Sequence, residues 1–104
     1  MNVYHLVITN PAETDLKGIA DYIAKELQES ATAQLLVSKI AEAIYKLEHV
    51  PKRYPLVRDE RLANQGIRKM MVENYIVFYT VSQDNQVVTI IRILYSRRNW
   101  LDLL

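Results

Sequence analysis

Gly66-Ile67-Arg68-Lys69-Met70-Met71-Val72, Glu73-Asn74-Tyr75-Ile76-Val77-Phe78-Tyr79-Thr80-Val81 and Val87-Val88-Thr89-Ile90-Ile91-Arg92-Ile93-Leu94-Tyr95-Ser96-Arg97-Arg98-Asn99-Trp100 are three successive runs rich in β-branched and aromatic residues. Runs of this length and composition read as strands. Glu73-Asn74 and Ser82-Gln83-Asp84-Asn85 punctuate them, and Asn and Asp tolerate the left-handed backbone of tight turns. Sequential strands usually lie side by side, so the three runs predict an antiparallel meander.

Upstream, Val3 to Ile8 is short, β-branched and aromatic, and predicts a further strand. Thr9-Asn10-Pro11-Ala12-Glu13 then signals a helix start. Asn10 is the expected cap, Pro11 suits the first helical position because its missing N–H needs no partner there, and Glu13 sits in the first turn. Leu16, Ile19, Ala20, Ile23 and Leu27 follow at helical spacing. Gly18 inside this stripe costs about 1 kcal/mol against Ala, so it marks either close packing or simple tolerance. Ser30 is the expected cap of a second helix, whose stripe is Ala33, Leu36, Val37, Ile40, Ala41, Ile44 and Leu47, with Pro51 as its stop. A link this short makes an αα-hairpin.

Residues 51–65 form a polar connection containing Arg53, Pro55, Arg58 and Arg61, of a length that is often functional. Asn99 to Leu104 is either a short helix or an ordered tail. The expected fold is α+β, in the order β-α-α-β-β-β: an antiparallel sheet packed on one face by an N-terminal helical hairpin. Residues 1–104 make a single domain.

Half of the 104 residues are hydrophobic and 24% are charged, which is ordinary for a globular domain. There is no cysteine, which excludes disulfides and thiolate metal sites. The start, Asn2-Val3-Tyr4-His5, lacks the basic and long apolar regions of a signal peptide. No apolar run reaches the ~18 residues of a membrane span, and the expectation is a soluble, cytoplasmic protein. The net charge of +1 hides a division: residues 1–50 hold four Lys/Arg against seven Asp/Glu, and residues 51–104 hold nine against five. An acidic partner for the basic half is one reading and an uneven solvated surface the other.

The order of elements and the wording of the chain resemble the RelE/ParE superfamily of small bacterial toxins, with the ParE-like branch favoured. The similarity lies in Ile67-Arg68, in Asn74-Tyr75-Ile76-Val77-Phe78-Tyr79, in Ile90 to Trp100, and in the opening Pro11-Ala12-Glu13-Thr14-Asp15-Leu16 with Tyr22-Ile23 further on. The resemblance implies the toxin of a type II toxin–antitoxin system with a role in plasmid stabilization. It implies a cognate antitoxin laid over the toxin as an extended or helical segment, and a toxin–antitoxin hetero-oligomer. ParE-like members act on DNA gyrase; RelE-like members cut mRNA in the ribosome. A non-toxic member that only binds antitoxin is the third reading.

RNA cleavage through the 2′-hydroxyl needs a base, a cation for the developing charge and an acid for the leaving oxygen. The RelE-like pattern places an arginine on the middle meander strand just after its turn; the matching residue here is Ile76, which stabilises no charge. The candidates for a nuclease are Arg68, Tyr95 and Arg97, with Leu103 where a further polar group is expected. For target or antitoxin binding the candidates are Arg68, Arg92, Tyr95, Arg97, Arg98 and Trp100. Strict alternation puts Arg92 on a face with Val88, Ile90 and Leu94, and Arg68 with Met70 and Val72, the two lining one basic groove beside Tyr95; solvated strand edges are the plain alternative. Tyr75 and Tyr79 share a face and read as core with hydroxyls at the rim, or as stacking platforms for a base. Trp100 with Leu101, Leu103 and Leu104 either closes the core or binds a partner. His5 and His49 read as structural or solvated, and Glu13, Asp15 and Asp21 as a solvated helix face. No metal, nucleotide or cofactor motif is present.

Overall fold

The computed structural model describes residues 3–104, so Asn2 of the N-terminal reading lies outside the described residues. Four strands, β1 (His5–Ile8), β2 (Arg68–Val72), β3 (Tyr75–Ser82) and β4 (Val87–Tyr95), form one sheet in the order β1-β4-β3-β2. Helices α1 (Asn10–Asp21), α2 (Ser30–Tyr45) and the short α3 (Glu60–Asn64) complete the α+β fold. Strands β2, β3 and β4 make the expected antiparallel meander. β1 joins it parallel to β4, His5 opposite Val87 and Ile8 opposite Ile90, so the sheet is mixed. Parallel neighbours need a long crossover, and the helical hairpin with two meander strands supplies it.

Several local expectations give way to tertiary contacts. Thr9, not Asn10, caps α1: its hydroxyl accepts from the Ala12 N–H at 3.3 Å and donates to the Ile90 carbonyl at 2.9 Å. The cap therefore also ties the helix start to β4. α1 ends in a widened turn over Tyr22–Glu26, and Gln28 takes a left-handed φ of 55° before α2 begins at Ser30. Glu29 rather than Ser30 stands at the cap position, with no side-chain bond. At the β2–β3 turn the left-handed residue is Glu73 (φ 54°), one place before the expected Asn74.

The sheet carries a core on each face. On the hairpin side Leu36, Ile40 and Ile44 of α2 meet Met70, Val77, Tyr79, Val88, Ile90 and Ile93. On the other side Ile76, Phe78 and Leu94 are covered by Val57, Leu62, Ile67, Trp100, Leu103 and Leu104. The sequence reading covered only the first face. The 51–65 connection is structured: Pro51–Arg53 form a 3-10 turn, and Asp59 caps α3 by accepting from the Leu62 N–H at 3.0 Å. Gly66, at φ +79°, turns the chain from α3 into β2, a conformation that favours glycine. The tail forms a 3-10 turn at Trp100–Asp102, with the Trp100 ring tilted against Phe78 at a centroid distance of 5.0 Å. Full burial of a large apolar side chain contributes roughly 1.5–3 kcal/mol. The tail and connection thus close the second core rather than decorate it.

Strict alternation fails on β4. Phe78 faces Arg92 and Tyr79 faces Ile90, leaving Ile91 as an extra residue. A bulge of this kind reverses the alternation beyond it. Val88, Ile90 and Ile93 consequently face the helical hairpin, while Arg92 joins Leu94 on the other side.

Candidate functional site

β1 stops at Ile8, so the outer edge of β4 beyond Ile90 has no strand partner. α1 lies there instead. The Asp15 carboxylate accepts from the Ile93 backbone N–H at 3.0 Å and from the Arg92 Nε and Nη2 at 2.7 and 2.9 Å. Arg92 Nη1 also donates to the Leu103 carbonyl at 3.1 Å. Asp15 is therefore not part of a solvated helix face, and Arg92 is not a free groove cation. The hydrogen bond to Asp15 raises the already high Arg92 pKa, against burial, with the charge of Asp15 adding to the rise.

Between α1, α2 and the far end of the sheet the hairpin leaves a cleft of about 1040 Å³. Its apolar surface includes Ile19, Tyr22, Leu27 and Leu35 from the helices and Tyr75 and Tyr95 from the sheet, and its polar residues include Asp15, Glu29, Lys39, Glu73 and Arg98. Leu35 is 58% and Tyr22 55% exposed, and both line the same cleft. A Cβ on Gly18 would meet nothing within 4 Å, so this glycine reflects an open wall rather than close packing. Lys39 and Glu73 close one corner with a 2.7 Å ion pair. Tyr75 and Tyr95 meet edge to face with centroids 5.6 Å apart. Burial, and then the neighbouring Tyr95 and Tyr22, push the Tyr75 pKa up, so its hydroxyl stays protonated and is a poor base.

Of the residues singled out from the sequence, the cleft gathers Tyr95 and Arg98. Arg97 is exposed in the following turn. Arg68 lies elsewhere: it pairs with Tyr79, whereas Tyr95 pairs with Tyr75, which pairs with Val72. Four strand positions and two strand spacings separate the two, about 13 Å along and about 10 Å across. The expected groove shared by Arg68, Arg92 and Tyr95 does not form. Arg68 Nη1 donates to the Tyr54 carbonyl at 2.7 Å, and Ile76 is buried at 4% exposure. Tyr79 is core, its hydroxyl donating to the Pro51 carbonyl at 2.6 Å inside the fold, not at its rim. Trp100 packs on the second core. His5 and His49 are exposed.

The sequence reading missed Asp15, Tyr22, Leu35 and Lys39. Tyr22 and Leu35 did carry a signal, since each is a large apolar residue next to, and off, the stripe that faces the core. A cleft with an apolar floor and both signs of charge around it suits an amphipathic polypeptide segment better than a small polar substrate. Among the described residues no group of three or more His, Asp or Glu side chains could hold a metal ion, and no helix is long and apolar enough to cross a membrane.

Comparison with known proteins bears on the fold and the family. A chain of the chromosomal ParDE toxin–antitoxin system from P. aeruginosa is 23% identical, with a TM-score of 0.72 over 89% of this chain and 96% of that one. The toxin–antitoxin complex RelBE2 from Mycobacterium tuberculosis gives 19% identity and a TM-score of 0.65 over 89% and 98%. A mutant of E. coli toxin RelE in the free state gives 12% and 0.68 over 97% and 92%. These likenesses establish a shared fold. A search of curated proteins gives no match. The sequence model of the ParE toxin of type II toxin–antitoxin systems, parDE, matches residues 6–100. It spans most of β1, the helical hairpin, the whole meander and the start of the tail, and on that extent the chain belongs to the ParE toxin family of type II toxin–antitoxin systems.

Proposed function

We propose that this protein acts as ParE-like toxins do, by binding DNA gyrase, and that a cognate antitoxin silences it by docking in the cleft between the helical hairpin and the sheet. The observation that carries the choice is the separation of Arg68 from Tyr95. Cleavage of RNA requires base, cation and acid to converge within about 3 Å of the reacting atoms. Here Arg68 is turned onto the Tyr54 carbonyl, Arg92 is held by Asp15, and the strand position after the turn is the buried Ile76. Tyr95 shares its cleft with apolar helix residues and with Arg98. That surface supports protein binding over phosphodiester chemistry.

The antitoxin assignment draws on the ParDE and RelBE neighbours, which are toxin–antitoxin systems, and on the exposed Tyr22 and Leu35 in the cleft. Induced expression without antitoxin tests both halves. An SOS response, stalled replication and inhibition of purified gyrase supercoiling are the expected results, unchanged in Tyr95→Phe. Cleavage of mRNA at ribosome-occupied codons, lost in Tyr95→Phe or Arg97→Ala, would transfer the protein to the ribonuclease reading. Unimpaired growth would leave a non-toxic, antitoxin-binding member of the family.

A further inference from the structure

Outside the cleft, whose lining includes no residue of 51–69, lies a second unusual surface. Residues 51–69 carry six Lys/Arg against two Asp/Glu, a net +4 in a chain whose total is +1, so the remainder sums to −3. The segment folds back on itself: Leu56 bridges Arg68, the Val57 N–H donates to the Ile67 carbonyl at 3.0 Å, and the Lys69 N–H donates to the Pro55 carbonyl at 3.1 Å. The positive excess is thereby gathered into one compact excursion.

At its corner the Pro51–Arg53 turn meets Arg68. Arg68 Nη1 reaches both the Tyr54 carbonyl, at 2.7 Å, and that of Lys52, at 3.4 Å. The Arg53 guanidinium lies 6.0 Å from the centroid of the Tyr54 ring. The Tyr79 hydroxyl, bonded to the Pro51 carbonyl at 2.6 Å, fixes the turn from which Lys52 and Arg53 project. Among the described residues none of the five ion pairs uses a corner residue: they use Lys17, Lys39, Lys46, Arg92 and, within the excursion, Arg61 with Asp59. Of the two acids in the excursion, Asp59 is engaged as the α3 cap. Lys52 Nζ donates to the Gln83 side-chain oxygen at 2.9 Å, so the three cations are held by amide oxygens and a ring rather than neutralised by carboxylates.

We infer that the Lys52–Arg53–Arg68 corner is a docking surface for the phosphate backbone of duplex DNA. Two observations favour a nucleic acid over an acidic protein segment. Acidic peptides gain lasting affinity from apolar anchors seated in pockets, and the large apolar side chain exposed in the excursion is Leu56, at 40%. Arginines with an interleaved aromatic suit phosphate and sugar, which are bound by charge and directed N–H groups without pockets. The surface reads no bases, so the binding is independent of sequence. It also lies apart from the antitoxin cleft, whose lining includes none of the three residues.

Fluorescence anisotropy of the purified full-length chain with a labelled 20-base-pair duplex, titrated in salt, tests this without gyrase present, so its failure and that of the gyrase reading are separable. Three phosphate contacts release about three counterions, giving a slope of log K against log salt near −2.7. Affinity should then fall about 40-fold between 50 and 200 mM salt. The exposed double variant Lys52→Gln/Arg53→Gln should lose about two units of that slope, while Lys17→Gln/Lys25→Gln, on α1 and the turn after it, should not. No binding at 50 mM salt, or an unchanged slope in the Lys52/Arg53 variant, overturns the inference. Displacement of the duplex by polyglutamate at equal charge concentration overturns it in favour of an acidic polypeptide partner.

Discussion

Asp15 grips Arg92 through both carboxylate oxygens, at 2.7 and 2.9 Å, and takes the Ile93 backbone N–H with the same group. The two side chains are only 11% and 23% exposed. One carboxylate thereby fastens α1 along the strand edge that β1 leaves uncovered, and Arg92 extends the tie to the carbonyl of Leu103.

Removing one partner from a buried pair strands the other charge, at about 3–5 kcal/mol. Asp15→Ala is expected to lie at the lower end, about 3 kcal/mol, because Arg92 retains the Leu103 carbonyl and partial contact with water. Urea unfolding measures it. A loss below about 1 kcal/mol would mean that the strand edge is satisfied without Asp15.

Tyr79 provides a pH dependence. Burial outweighs the nearby Arg68 and pushes its pKa to about 12 from 10.0. The unfolded chain therefore loses the phenolic proton first, and stability falls as pH rises from 10 towards 12. Below pH 10 this contribution is complete. Two units correspond to about 2.7 kcal/mol. Tyr79→Phe should show a shallower alkaline decline, after an initial cost of about 1 kcal/mol for the lost bond to Pro51. Matched denaturation series at pH 8 to 11.5 make the comparison; parallel curves would refute it.

Trp100 is the chain's single tryptophan, so its emission reports directly on the second core. Deleting residues 100–104 uncovers Phe78 and Leu94 and takes the Leu103 carbonyl from Arg92. The truncated chain is expected to lose about 3 kcal/mol or more and to bind a hydrophobic dye. In the intact chain, Asp15→Ala should move Trp100 emission to longer wavelength while the far-ultraviolet dichroism persists.

Leu35 separates binding from folding. At 58% exposure it contributes little to the core. Leu35→Glu should change stability by less than about 0.5–1 kcal/mol yet abolish protection by the antitoxin in a co-expression growth assay. Full protection would place the antitoxin outside the cleft.

The helical hairpin and the meander were legible because each rests on local chemistry: apolar spacing on the helices, β-branched runs on the strands, and polar breaks between them, although the left-handed turn residues are Glu73 and Gln86 rather than Asn or Asp. Ile76 was legible too, as an apolar residue in an apolar strand. Arg92 was not read correctly. Period-two counting holds only for unbroken pairing, and the extra Ile91 that reverses its face is fixed by β3. Thr9 displaced Asn10 as the cap because its hydroxyl also has the Ile90 carbonyl to bond, a partner 81 residues away.

By itself the sequence determined the α+β class, the order of the four strands and the two long helices, and the toxin family, but not α3 in the connection. It also placed the basic excess in the second half. Periodicity, turn chemistry and charge are properties of neighbouring residues and survive without coordinates. Only the tertiary structure decided that β1 runs parallel to β4, that the sheet is covered on both faces, that Asp15 is a half-buried anchor, and that Arg68 lies outside the cleft that holds Tyr95. The Asp15 anchor depends on which distant backbone groups remain unpaired once the sheet has formed, and the others depend on strand register and on apolar surface that only distant segments can cover.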